Sequence, residues 1–216
     1  MLMPTTFLWW QSPKLYGKYL RQGLLKEYGQ TINRGDREKI IFCPRIPTLA
    51  NHGRCNNPDQ MQKIENLIKD IASKHSKPTA VKIFHHEQGG KTLTAKEQKK
   101  IFKTGTIIIG IHGTAMTNMA WTERAVDFSL APLQVIESVG NTTLRNMDDP
   151  PIEPWQPRND LGYWNQFSNN FNISWRHLFY SPLPGAKNAK IVDMPLNFLE
   201  QSLKDSLEEN REFYHS

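Results

Sequence analysis

The segment that most constrains this chain is Thr106-Ile107-Ile108-Ile109-Gly110-Ile111, followed at once by His112-Gly113-Thr114-Ala115-Met116-Thr117-Asn118. A continuous β-branched run has no polar side to offer water, so it reads as a strand covered on both faces. Strands of that kind belong to parallel sheets, whose strands are joined by helical crossovers. Gly110 and Gly113, at the end of the run and just after it, then mark a sharp strand-to-helix turn.

The rest of the chain agrees with this reading. Tyr16, Leu20, Leu24 and Tyr28 recur at helical spacing, and Gly29 is placed to end that helix. Ile40–Cys43 is a short buried strand closed by Pro44, and a loop from Arg45 to Asn57 follows. Asn57-Pro58-Asp59-Gln60 is a helix start: Asn57 caps, Pro58 fits the first helical position, and Gln60 can close a capping box. Met61, Ile64, Leu67, Ile68 and Ile71 form one face of that helix. Ala80–Phe84 reads as a strand, and Thr94-Ala95-Lys96-Glu97 as a capping box opening another helix. The spacing predicts a short helix over 114–122 and a strand Leu133–Ile136 that ends at Glu137. The four prolines of 148–157 exclude regular structure there, and Leu196, Leu199 and Leu203 announce a closing helix. The fold class is therefore α/β, a parallel sheet flanked by helices. Residues 1–36 are expected to be a lead-in helix and linker, and 37–216 the main domain.

Composition removes several alternatives. The 216 residues include 10 Phe, 6 Trp and 6 Tyr, enough to build a core, so wholesale disorder is excluded. Apolar runs such as Phe7–Trp10 and Ile107–Ile109 are far short of the ~20 residues a membrane-crossing helix needs. Met1–Trp10 lacks the cationic start and long apolar stretch of a signal peptide. Cys43 and Cys55 cannot staple a disulfide scaffold, and with His52 they still lack a fourth zinc ligand. His85-His86-Glu87 would point to alternate faces of a strand, which discounts a metal site there. The sequons at Asn141 and Asn172 matter only in a secretory compartment. The net charge of +6 fits nucleic acid, an acidic membrane or a phosphate-bearing small molecule. No nucleic-acid motif accompanies the basic residues, and none of the Walker, Gly-x-Ser-x-Gly or Gly-x-Gly-x-x-Gly patterns occurs.

Three places can carry chemistry. Open parallel sheets bind ligands at the carboxyl ends of their strands, where helix N-termini favour anions. In Gly110–Asn118 the glycines allow close backbone approach, His112 can donate to a phosphate, and Gly113, Thr114, Thr117 and Asn118 can add contacts. The same pattern also fits a tight turn with a packed histidine. Arg45 and Arg54, in the loop after the first strand, offer guanidinium forks that suit a diphosphate, or are merely surface cations. Glu137 is placed to accept from ribose hydroxyls, or to sit at a strand end in solvent.

At these residues the chain resembles the family-61 glycosyltransferases, which include the EGF-domain O-linked N-acetylglucosaminyltransferase and plant xylan arabinosyl- and xylosyltransferases. Their hallmark is a strand running into Gly-x-His-Gly-Ala-Gly-Leu-Thr-Asn, with a later strand ending in Glu. Gly110, His112, Gly113, Thr117 and Asn118 match it, as does Val135-Ile136-Glu137; Thr114-Ala115-Met116 departs from Ala-Gly-Leu. Arg45, Arg54 and Asn56 or Asn57 resemble the family's upstream pattern, and Leu93–Phe102 and Ile191–Leu207 its flanking elements.

The resemblance implies the Rossmann-like C-terminal half of a GT-B-type enzyme. It also implies transfer of a sugar from a nucleotide-sugar co-substrate, UDP-linked, to a hydroxyl of a protein or polysaccharide acceptor. Arg45, Arg54, His112 and the helix after Gly113 would stabilise the departing diphosphate without a metal or other cofactor, Glu137 would hold the ribose, and His112 has a second reading as general base. An acceptor-binding domain would lie elsewhere. The Golgi or endoplasmic reticulum follows if an N-terminal anchor exists, and the cytoplasm otherwise. The rivals are a degenerate relative that binds without turnover and, resting only on charge, a nucleic-acid-binding domain.

Overall fold

The computed structural model describes residues 13–29, 37–45, 55–88, 91–111, 113–140, 170–180 and 191–214. Helix α1 (Pro13–Tyr28) ends at Gly29, whose φ of 57° lies in the left-handed region where a Cβ is unwelcome. Strand β1 (Glu38–Cys43) is followed by the short β2 (Cys55–Asn56), helix α2 (Pro58–Lys74) and strand β3 (Thr79–Ile83). A small antiparallel pair, β4 (Glu87–Gln88) and β5 (Lys91–Thr92), precedes helix α3 (Ala95–Phe102). Then come β6 (Ile107–Ile111), a 3₁₀ helix (Thr114–Trp121), the short helix α4 (Glu123–Val126) and β7 (Leu133–Gly140). Strands β8 (Ile173–Tyr180) and β9 (Ile191–Val192) and helix α5 (Leu196–Phe213) complete the described chain.

The central sheet has five strands in the order β3-β1-β6-β7-β8, and every neighbouring pair is parallel. The architecture is α/β and Rossmann-like, as expected. Side-chain alternation sends Ile41, Cys43, Ile108 and Val135 to one face, where they meet Leu24 and Tyr28 of α1, Phe102 of α3, and Met116 and Met119 of the 3₁₀ helix. Ile40, Phe42, Ile107, Ile109 and Ile136 point to the other face, against Ile64 and Ile68 of α2 and Leu199 and Leu203 of α5. The isoleucines of β6 are wholly buried, each contributing about 1.5–3 kcal/mol by removal from water. Helix α1 is thus part of the core. Its Tyr28 hydroxyl donates to the Trp121 carbonyl at 2.6 Å, and burial pushes the phenol pKa upward, helped by Glu27 and Glu123.

Several local expectations are corrected by the geometry. Asn57 caps α2, accepting from the Asp59 amide at 3.1 Å, but Gln60 closes no capping box. Its amide instead exchanges two hydrogen bonds with the Met194 backbone, at 2.8 and 2.7 Å, and so ties α2 to the segment that leads into α5. The capping box at Thr94 and Glu97 is present. Strand β7 does not stop at Ile136. It runs on to Gly140 because β8 extends it with a full parallel ladder. The segment after β6 is 3₁₀ rather than α-helical, so its aligned dipole is weaker than the one expected. The proline-rich 148–157 stretch lies outside the described residues.

Candidate functional site at the carboxyl edge of the sheet

Numbered in chain order, the strands of the sheet run 2-1-3-4-5, one of the two common doubly wound orders. The chain leaves β1 through α2 toward β3 on one side. It leaves β6 through the 3₁₀ helix toward β7 on the other, with α2 and the 3₁₀ helix on opposite faces. The crevice beyond the carboxyl ends of β1 and β6 is therefore the topological switch point, where sheets of this kind bind ligands.

Two of the residues singled out in the sequence meet there. Arg45 follows β1 by one Pro44, and Gly113 follows β6. The Arg45 guanidinium lies so close to Gly113 that a Cβ there would stand 2.8 Å from its Nη1. Gly113 has extended backbone, so its glycine answers to close approach rather than to strain. The Gly113 carbonyl accepts from the Met116 amide at 2.9 Å and starts the 3₁₀ helix. Thr114 opens that helix, and the first N–H groups of such a helix have no partner within it. Thr117 lies in the next turn, half-buried.

Arg45 is held from behind. Its backbone N–H donates to Asn56 Oδ1 at 2.9 Å, and the Asn56 N–H donates to the Arg45 carbonyl at 2.8 Å. Asn56 is buried and β2 pairs with β9, so the exit of β1 is anchored to the C-terminal segment. Gly110, one turn of the pleat earlier, is obligatory for a different reason. A Cβ there would meet Met116 Sδ at 2.7 Å and the Cys43 carbonyl at 3.2 Å. Burial pushes the Cys43 thiol pKa well up, so this floor of the crevice is neutral.

Other expected ligand groups are used elsewhere. Asn118 is buried and donates its amide to Gln98 Oε1 at 3.0 Å, fastening the 3₁₀ helix to α3 rather than facing the crevice. Glu137 is not a strand-end acid. It sits inside β7, fully buried, in register with Gly110 on one side and His177 on the other. His177 Nδ1 is 3.6 Å from Glu137 Oε2. A ribose hydroxyl has no open path to a carboxylate so enclosed. Arg54 and His112 lie outside the described residues.

Sequence reasoning passed over Asn56 as the clamp on Arg45, and His177 altogether. The signal for His177 was the alternation in Ile173–Tyr180, which makes that segment a strand parallel to β7. Among the described residues no His, Cys, Asp and Glu side chains group as a metal site. No helix there is long and apolar enough to cross a membrane.

No protein-family model matches the chain, and no curated protein does. Among solved structures it is similar to an oxidoreductase from Corynebacterium diphtheriae, at 6% identity and a TM-score of 0.42, covering 82% of this chain and 97% of that one. It is also similar to general stress protein 14 from Treponema denticola in complex with FMN, at 10% identity and a TM-score of 0.35, covering 82% of this chain and 99% of that one. Neither is a glycosyltransferase: one is an oxidoreductase and the other holds FMN. The expectation of glycosyl transfer from a nucleotide-sugar co-substrate is corrected on this finding and withdrawn. At such identities the likeness extends to the layout of the fold and assigns this chain no flavin.

Proposed function

We propose that the chain is an α/β domain that binds the phosphate of a nucleotide-class ligand in the crevice between the carboxyl ends of β1 and β6. The observation that carries this reading is the placement of the Arg45 guanidinium against Gly113 at the switch point of a 2-1-3-4-5 sheet. Arginine offers a planar fork of donors to a phosphate, and the glycine keeps the opposite wall free of a side chain. The opening N–H groups of the 3₁₀ helix supply further donors to the same anion. The chain's net charge of +6 favours approach of such a ligand.

The test is the thermal stability of the full chain with inorganic phosphate, AMP, UDP and FMN, repeated for Arg45→Ala. A ligand present at a hundred times its dissociation constant adds about 2.7 kcal/mol to the folded state. Stabilisation by one nucleotide, weakened at least about tenfold in affinity by Arg45→Ala, supports the reading and names the base. Loss of one charge-assisted hydrogen bond of about 1.5–3 kcal/mol gives that factor. A cooperative melt that none of the four shifts removes it.

A further inference from the structure

Composition gives a nucleic-acid partner nothing but charge, and the fold gathers part of that charge in one place. Lys39, Lys82, Lys96 and Lys100 share the side of the fold at the sheet's β3 edge. Lys39 stands opposite Ala80 and Ile41 opposite Lys82, so the two lysines are diagonal neighbours on one face. Helix α3 lies over that same face. Its Phe102 packs with Ile41 and stands edge-on to Phe84, just past β3, with 4.8 Å between ring centroids. The Lys39 ammonium donates to the Ile101 carbonyl at 2.6 Å and to Thr104 Oγ1 at 3.2 Å, which joins it to the end of α3 and leaves its third N–H over. Lys96 and Lys100, one turn apart and exposed, form the stripe of α3 that leads to that end.

The acids of β1, α3 and the helices beside α3 are engaged elsewhere. Glu38 takes Arg124 and Asn210, and Glu97 folds back onto Thr94. Glu27 of α1 takes Lys99, and Glu123 of α4 takes Lys103. Among the described residues no ion pair engages Lys39, Lys82, Lys96 or Lys100. Burial first, and Lys82 second, push the Lys39 pKa down, as befits a cation beside a cation. A lysine on an edge strand also discourages strand pairing, but that accounts for Lys82 and not for the stripe on α3. The exposed large apolar side chains Tyr19, Phe128, Ile191, Phe198 and Phe213 all stand on other elements. The patch therefore has no large apolar group to bury in a bilayer and no aromatic ring to stack on unpaired bases. We infer that this face of α3 and β3 docks the phosphate backbone of a nucleic-acid duplex, without regard to base sequence, through Lys39, Lys82, Lys96 and Lys100. The inference does not rest on the crevice between β1 and β6.

The experiment is the fluorescence anisotropy of a labelled DNA duplex with the full chain at low and moderate salt. Contacts from all the named lysines predict that affinity falls about a hundredfold between about 50 and 200 mM salt. Lys82→Ala combined with Lys100→Ala removes two of these contacts, weakens binding at low salt, and reduces that fall to about tenfold. Lys63→Ala combined with Lys69→Ala, on α2 across the sheet, leaves the fall unchanged. All four side chains exchanged are exposed, so both variants keep the fold. Absence of duplex binding at about 50 mM salt overturns the inference. So does a salt dependence that the two variants reduce equally. Tighter binding to the single strand than to the duplex overturns it, as does retention of the chain by phosphatidylserine vesicles under conditions where the duplex does not bind.

Discussion

Arg45 and Asn56 hold each other through two hydrogen bonds: the Arg45 N–H donates to Asn56 Oδ1 at 2.9 Å, and the Asn56 N–H donates to the Arg45 carbonyl at 2.8 Å. The pair closes the loop between β1 and β2, and it fixes the backbone from which the guanidinium projects. Because Asn56 is buried, its side-chain oxygen has no water to exchange for the Arg45 amide.

Asn56→Ala is therefore expected to cost about 1–3 kcal/mol, the usual penalty for leaving a buried donor unsatisfied. Urea unfolding measures it. Asn56→Asp keeps the accepting oxygen, and should recover part of that loss while still positioning Arg45. If phosphate binding occurs as proposed, Asn56→Ala weakens it and Lys69→Ala, on an exposed stretch of α2, does not.

The parallel sheet was legible because Ile107–Ile109 and Ile40–Cys43 are apolar without interruption, as a doubly covered strand tolerates, and Leu133–Ile136 is broken only by Gln134. Gly110 and Gly113 were also legible as places where a backbone is approached, although the approaching groups, Met116 and Arg45, come from contacts that spacing does not encode. What escaped was set by pairing. The end of β7 could not be read locally, since Glu137 and Ser138 are polar and only the ladder to β8 keeps them in a strand. Once inside the strand, Glu137 changes from an accessible acid to an enclosed one. Asn118 escaped for a similar reason: an asparagine after a glycine turn suits a ligand or a neighbouring helix equally, and only the packing of α3 brings Gln98 to it.

A buried polar triad at the opposite end of β1 gives a prediction about stability alone. Glu38 accepts from Arg124 Nη2 at 3.1 Å and from Asn210 Nδ2 at 3.0 Å, joining β1 to α4 and α5, and all three side chains are buried. Removing one charge leaves the other uncompensated in a poorly solvated place, at a cost of about 3–5 kcal/mol. Arg124→Met is expected to show that loss in urea unfolding. The double substitution Glu38→Gln with Arg124→Met should cost clearly less than the sum of the singles, because no orphaned charge remains. Additive losses would mean that the two side chains act independently.

The acid limb of the stability profile should carry a contribution from Glu97. Its carboxylate accepts from the Thr94 hydroxyl and from the Thr94 N–H, both at 2.7 Å, which closes the N-terminus of α3. The side-chain hydrogen bond first, then the backbone one, and lastly Lys91 lower its pKa, against a small opposing effect of desolvation. A carboxyl whose folded pKa lies below its unfolded value favours the folded state above the unfolded pKa, near 4.3, and loses that advantage as pH falls through the folded one. Glu97→Gln removes the titration. The wild type should thus exceed the variant in urea midpoint at neutral pH, with the gap closing as the pH is lowered below about 4.3. A gap independent of pH would mean that Glu97 acts on α3 through packing or an uncharged hydrogen bond. The consequence reaches the crevice, because the helix that Glu97 caps carries Gln98, and Gln98 holds Asn118 and with it the 3₁₀ helix that begins at Gly113.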